Sequence, residues 1–192
     1  LLSPVLGGTP LWTYTLSMTG AITMFLGAYF AITQTDIKAI LAYTTISSLG
    51  VLVLLLGIDT ALSVKAAMLF LFVHAFYKAA LFMIAGFIDK KTGTRDWRDL
   101  GGLARSMPFT FVFALLASLS MAGLPPMLGF LGKELIYEAK VQSPDIAPYV
   151  LVLGVAGNAL MIAVALFFLY KVFLGKAKKQ VQISVKADWA YV

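Results

Sequence analysis

Apolar residues run along this chain in blocks of about 17–25, the length a helix needs to cross the hydrocarbon core of a bilayer, with short polar interruptions between them. The first block covers roughly 11–33, the second roughly 39–57 and the third roughly 66–88. A polar connection follows from Asp89 to Gly102, its glycines and alternating charges marking an exposed loop. Roughly 108–122 is apolar again, and the run from Gly123 through Pro125, Pro126 and Gly129 to Gly132 then cannot continue an ordinary helix, because two prolines remove backbone donors. A short run reaches about 141, and the last block covers roughly 147–173, opened by Pro144 and Pro148 and closed by Lys171, Gly175 and Lys176. In a bilayer every backbone polar group must be satisfied within the segment, so each block must be a helix. The pattern predicts an all-α fold: a polytopic transmembrane helical bundle with a broken helix near 123–133, a membrane region over 1–175 and a polar C-terminal tail over 176–192.

Composition sharpens this. Apolar residues make up 60% of the 192 positions and charged residues 12%, and the mean hydropathy is +0.91. A soluble domain runs near about 45–50% apolar and about 25% charged. Cysteine is absent, which excludes disulfides and thiolate chemistry, and a single histidine excludes a His-rich metal site. No residue pattern asks for a metal or a cofactor.

The formal charge of +6 comes from fifteen Lys and Arg against nine Asp and Glu. These cations fall mainly between apolar blocks, in the 88–106 region and the tail, which fits a multi-pass membrane protein rather than a nucleic-acid binder. The chain opens on Leu1-Leu2-Ser3-Pro4 with no signal segment, and a fragment of a longer chain is expected. Orientation has two solutions. If 108–141 makes two spans, the 88–106 loop and the tail lie on opposite sides; if it makes one broken span, they share a side and satisfy the positive-inside rule.

Four places carry candidate chemistry. Asp36 and Lys38 meet at a helix junction, and Lys38, Leu41, Ala42, Thr45 and Ser48 or Leu49 share a helical stripe. Hydroxyls below an ammonium could relay protons; equally, Lys38 snorkels to the interface and the hydroxyls bond their own backbone. In the third block His74 and Lys78 are four residues apart, one above the other on one helix face, with Tyr77 beside them. Two bases stacked this way cannot both be charged cheaply in low dielectric, and ionisable groups so deep in a span are usually functional. Lys65, nine residues before His74 and on the opposite face, reads as an interfacial anchor.

The third place is the break, with Lys133 and Glu134 just beyond it. Non-helical backbone at membrane depth persists only where it is buried in protein or lines a wet cavity. A lysine at the start of the resumed helix would face the positive end of its dipole, which disfavours the charged form. The competing reading is a surface loop with a solvated Lys133–Glu134 pair. The fourth place, the 89–102 loop, reads as a solvated and self-paired surface, with no special role for Trp97.

These residues carry a resemblance. Asp36-Ile37-Lys38 followed by Leu41-Ala42-Tyr43-Thr44-Thr45-Ile46-Ser47, the segment His74 to Phe82, Thr94-Arg95-Asp96 with Leu100-Gly101-Gly102-Leu103, and the stretch from Gly123 to Glu134 together resemble the antiporter-like membrane subunits. That family includes the large A-type protein of Mrp-type Na+/H+ antiporters, the proton-pumping subunits of respiratory complex I and membrane-hydrogenase relatives. The resemblance covers nearly the whole chain to about Lys179 and is nearest to the Mrp A-type protein and the distal proton-pumping member of complex I. One departure is Phe70, where the resemblance to distal complex I subunits implies a second histidine.

The resemblance implies a fold with two inverted five-helix repeats, each with a broken helix, and this chain as the second repeat. It implies that Lys38 is a linking lysine, His74 and Lys78 the centre of a half-channel, and Lys133 with Glu134 its exit, supported by Asp36, Thr45, Ser48 and Tyr77. It also implies two spans over 108–141, with the tail cytoplasmic and the 88–106 loop outside. The implied function is proton conduction along a mid-membrane chain of Lys and His residues coupled to Na+ exchange, in a multisubunit cation/proton antiporter of the bacterial inner membrane. Implied partners are other membrane subunits, the lipid bilayer, protons and Na+. Two charges about 10 Å apart at an effective dielectric near 20 repel by on the order of 1.7 kcal/mol, enough for one site to alter the next. The only deep carboxylate expected is Glu134, so no Na+ site is legible. A redox-driven pump component of complex I or hydrogenase, and a non-transporting remnant, are the rival readings.

Overall fold

Helix α1, Pro10–Thr33, and α2, Ile37–Ile58, form a hairpin whose turn is fixed by Asp36. The Asp36 carboxylate accepts from the Lys38 and Ala39 amides and so caps α2. The computed structural model describes residues 7, 9–142 and 148–176, without the side chains of 148–151. The opening Leu1-Leu2-Ser3-Pro4, Pro144 and tail positions 177–192 lie outside them. The remaining elements are α3, Ala61–Thr92; a single turn α4, Leu103–Ser106; α5, Pro108–Ala122; α6, Leu128–Val141; and α7, Pro148–Leu169, which runs into a π-helical turn, Tyr170–Leu174. All are helical, as the apolar blocks predict. Four helical stretches are long and apolar enough to cross a membrane, Pro10–Thr33, Ile37–Ile58, Ala61–Thr92 and Val152–Leu174. The bundle's outer surface is apolar, with Phe76, Phe109 and Phe113 largely exposed.

The third helix is longer than its apolar block. Thr60 and Ser63 cap its start reciprocally. Lys90 and Lys91 occupy its last turn, where cations suit the carbonyl end, and Gly93 at φ 71° stops it. The expected loop therefore begins at Gly93 rather than Asp89. Nor is that loop only solvated and self-paired: the Ile37 amide donates to the Arg95 carbonyl, the Trp97 amide to Thr35 and the Trp97 indole to Gln34. These bonds stitch the loop to the α1–α2 turn. Within the loop Arg98 grips Asp96 through its Nε and Nη2, holding that carboxyl below the usual carboxylate range.

Helix α1 lies against α2 with almost no side chain between them. A β-carbon on Gly27 would fall 2.5 Å from the Ser47 amide nitrogen, one on Gly50 would meet the Met24 backbone, and one on Gly57 would fall 2.7 Å from the Ser17 nitrogen. Position 27 faces 47, 24 faces 50 and 17 faces 57, a single antiparallel register. Without a hydrophobic drive between helices in lipid, small residues that let backbones touch supply the packing. The Ser47 hydroxyl adds a bond to the Met24 carbonyl at 2.7 Å.

The break falls where the prolines put it. Helix α5 ends at Gly123, φ 72°, with the Gly123 amide bonded to Ser120 and the Leu124 amide to Leu119, the pairing that closes a helix through a left-handed residue. Residues 123–127 then turn, with Pro125–Pro126 in cis. Gly129 of α6 packs directly on the Ser120 carbonyl of α5, leaving no room for a side chain.

Two ring contacts decide the topology. Phe111, early in α5, meets Phe173 at the end of the α7 stretch, with centroids 5.5 Å apart, and Trp97 of the loop meets Phe167 edge-on at 5.1 Å. At the other end, the Lys140 ammonium near the end of α6 lies against Gly154 near the start of α7. Helices α5 and α6, 15 and 14 residues, thus run antiparallel beside α7 and its π turn, each path about 40 Å at about 1.5 Å per residue. They make one broken crossing. The two-span split of 108–141 is corrected accordingly, and the 93–102 loop and Lys176 share a side, with Lys90, Lys91, Arg95, Arg98, Arg105 and Lys171.

Candidate functional site

The chemistry gathers on the inner faces of α2 and α3. The buried stripe of α2 is Ile37, Ile40, Leu41, Thr44, Ser47 and Ser48, rotated from the expected stripe, whose Ala42 and Leu49 face outward. Thr44 is therefore the hydroxyl that meets a lysine. Lys78, 5% exposed, donates to the Thr44 hydroxyl and, at 2.9 Å, to the Leu41 carbonyl. Thr44 itself donates to Leu41 at 2.8 Å. The Ser48 hydroxyl bonds the Thr44 carbonyl at 3.0 Å and also faces the Tyr77 hydroxyl.

Lys38 does not hang over hydroxyls. Its ammonium pairs with Asp89 at 2.8 Å, with the two side chains 36% and 32% exposed, because α2 begins at the bundle's end where α3 also ends. Thr45 bonds its own helix at the Leu41 carbonyl, 2.9 Å, so the hydroxyl ladder expected beneath Lys38 is replaced by backbone bonds. Asp36, besides capping α2, lies 3.3 Å from Arg95.

His74 and Lys78 are both buried, but they do not converge on one hydrogen-bonded site. Lys78 reaches α2, while the His74 ring lies between Phe70, 6.0 Å away, and Tyr77, 5.4 Å away. Its Nε2 is buried with no hydrogen-bond partner. Phe70, the departure noted in the sequence, fills the space one turn before His74 and also lines an internal cavity of about 40 Å³. Tyr77, Ser47, Ser48, Lys133, Lys140 and Asn158 add polar groups to its wall. That is room enough for water.

Lys133 projects back across the break. Its Nζ donates to the Ala122 carbonyl at 2.7 Å, so it sits at the negative, carbonyl end of α5. The expectation that it faces the positive end of its own helix is corrected: a lysine side chain points toward its helix N-terminus, and the fold of the break brings a second helix end there, where a cation is favoured. Lys133, Tyr137 and Asn158 also line an open groove of about 620 Å³ on the outer side. Glu134 is exposed on that groove and takes no ion pair among the described residues. The solvated Lys133–Glu134 pair is therefore absent. Lys65 is exposed near the start of α3.

Three positions escaped the sequence reading: Thr44, Lys140 and Asn158. Lys140 had a usable signal, since it follows Lys133 by seven residues and shares its helix face. Thr44 and Asn158 had none without the rotation of α2 and the position of α7. Among the described residues no group of three or more His, Asp or Glu is placed to hold a metal ion.

The family model described as NADH:quinone oxidoreductase/Mrp antiporter, TM, matches residues 1–161. The probable K(+)/H(+) antiporter protein of Rhizobium meliloti, of the fused A/B type, is 44% identical over 179 residues, 90% of this chain and 18% of that relative. The A-type Na(+)/H(+) antiporter protein of Alkalihalophilus pseudofirmus is 36% identical, over 93% of this chain and 25% of that relative. The chain thus spans about a quarter or less of the length of these relatives. Among solved structures, the Mrp complex from Dietzia superposes with a TM-score of 0.82 at 38% identity, over 92% of this chain and 20% of that one. The membrane-bound sulfane sulfur reductase, an archaeal respiratory membrane complex, superposes with a TM-score of 0.80 at 36% identity, over 85% of this chain and 27% of that one.

Proposed function

This chain belongs to the NADH:quinone oxidoreductase/Mrp antiporter transmembrane family, and on that footing we propose that it is a proton-conducting part of the A-type membrane protein of a multisubunit cation/proton antiporter. The observation that carries the reading is the buried Lys78–Thr44 contact between α2 and α3, an amine held deep in an apolar bundle by a hydroxyl and a carbonyl. Such groups are expensive in a bilayer and mark proton and ion paths.

In this reading Lys38 and Asp89 form one end of the path, where protons exchange with bulk water. Lys78 holds a proton at Nζ against Thr44. Ser48 and Tyr77 connect that site to the cavity, and Lys133 holds a proton at the break, next to the outer groove. His74, with a free buried nitrogen, tunes Lys78 by its own protonation. Glu134 lies outside the path, on the groove. The proton flux is exchanged for Na+ elsewhere in the complex, together with other membrane subunits, in the bacterial inner membrane. The basic end that carries Lys90, Arg98 and Lys176 faces the cytoplasm by the positive-inside rule.

Likeness to the archaeal respiratory complex supports a second reading, in which a redox reaction in partner subunits drives the same proton path. The two differ in drive. In everted vesicles carrying the full-length complex, Na+-dependent proton movement should be present with the native chain and abolished by Lys133→Ala, with assembly unchanged on native gels. Na+-independent, donor-dependent acidification would favour the redox reading, and wild-type exchange in assembled Lys133→Ala complex would remove the break from the path.

A further inference from the structure

Building on the proton-conduction reading, we propose that Lys140 is a further proton-carrying residue, through which the internal cavity communicates with the α6–α7 end of the bundle. Lys140 lies in the last turn of α6, 5% exposed, two helical turns beyond Lys133 on the same face. Both side chains line the same cavity.

Its ammonium has a built place. A β-carbon on Gly154 of α7 would come within 2.7 Å of the Lys140 Nζ, so this glycine leaves the room that the ammonium occupies. Yet no hydrogen bond or ion pair to a described residue holds it there, and its neighbour is the Tyr137 ring, 5.6 Å from Nζ to the centroid. A buried, unpaired amine is costly, and a leucine or methionine would fill the same volume without that cost. Packing alone does not explain a lysine here, whereas cavity water beside it supplies both hydration and a proton route. The titratable groups facing the cavity with it are Lys133 and Tyr137 on α6 and Tyr77 on α3; α1, α2 and α7 contribute neutral Met24, Ser47, Ser48 and Asn158.

The step is a proton transfer without change of oxidation state. Water at the α6–α7 end delivers a proton to the neutral Lys140 amine. The ammonium then releases it to cavity water and returns to the amine, while that water passes it to Lys133 or onward past Tyr77. The structural alternative is a fixed cation that complements the carbonyl end of α6. A guanidinium would serve that role and could not relay.

The test uses the full-length protein in its complex, with exchange measured over a pH series in everted vesicles for Lys140→Gln, Lys140→Arg, Gly154→Ala and, in parallel, Lys133→Ala. Assembly is followed on native gels. At least a tenfold loss is expected for both Lys140 variants with assembly intact, and a several-fold loss for Gly154→Ala, whose methyl displaces the ammonium. Wild-type rate and pH profile in Lys140→Arg would make the residue a fixed charge and overturn the proposal. So would wild-type exchange in Lys140→Gln beside an inactive Lys133→Ala. If both Lys140→Gln and Lys133→Ala exchange normally, the underlying conduction reading fails instead. Should Lys140→Gln not assemble, Gly154→Ala decides: assembled complex with wild-type exchange overturns the proposal.

Discussion

Lys78 of α3 donates to the hydroxyl of Thr44 on α2, and Thr44 passes the bond on to the Leu41 carbonyl of its own helix. The lysine is thus anchored to the neighbouring helix rather than to His74 one turn away. That arrangement sets the first prediction.

Lys78→Arg should be as damaging to exchange as Lys78→Ala, a loss of at least tenfold. A guanidinium keeps its proton at every working pH, and its planar fork does not match one hydroxyl and one carbonyl packed for an ammonium. His74→Gln keeps hydrogen-bonding capacity without titrating and should lose only a fewfold. The pH profiles of exchange in everted vesicles check both, and a wild-type profile for Lys78→Arg would reduce Lys78 to a fixed positive charge.

The glycine seam predicts a loss of stability instead of conduction. Gly50→Leu should lower the thermal stability of the detergent-purified complex, at a cost of about 1–3 kcal/mol or more, because the added atoms meet Met24 and Gly20 backbone that cannot repack. Leu49→Ala, on the exposed face of the same helix, is the control and should leave the melting temperature nearly unchanged. Equal melting curves would mean that α1 and α2 are free to part.

At the bundle's end, Asp36→Ala should cost about 1 kcal/mol through the lost cap on α2. Asp89→Ala should cost less, since a half-exposed pair with Lys38 contributes at most about 1 kcal/mol. Lys65→Ala, exposed on the far face of α3, should leave exchange within about twofold of wild type. Urea titration of the purified complex and the vesicle assay separate these effects; a large loss of exchange in Lys65→Ala would mean that its face also carries ions.

The single broken crossing is testable by labelling. In a full-length background free of cysteine, Arg98→Cys should react with a membrane-impermeant maleimide in everted vesicles, and Lys65→Cys in intact cells. A cysteine at Lys176 should behave like the one at Arg98. Opposite labelling of positions 98 and 176 would restore a two-span path for 108–141.

Helix existence was legible because apolar blocks of spanning length leave a bilayer no alternative, and the break was legible from Pro125 and Pro126. What stayed hidden depended on rotation and on neighbours. The two faces of α2 are almost equally apolar, so hydrophobicity could not say whether Thr44 or Thr45 points inward; the glycines at 27 and 50, which seat α1, decide it. Lys133 was found, but its electrostatic setting was read from its own helix alone, and the Ala122 carbonyl that receives it belongs to the helix before. The orientation of the 93–102 loop likewise followed from contacts made by Trp97 and Phe111 with α7, far away in sequence.

The joined crossing of α5 and α6 also settles a matter of parity. Counted with α1, α2, α3 and α7, it gives five passes among the described residues, an odd number, so Pro10 and Lys176 lie on opposite faces of the membrane. A unit with an odd number of passes, copied in tandem, is threaded into the bilayer upside down without further rearrangement. Had the Gly123–Met127 turn sent the chain back to its starting face, the count would be even and a duplicate would stand upright. One short turn therefore determines whether descendants of such a module face each other as mirror partners across the membrane plane or stand side by side in the same sense.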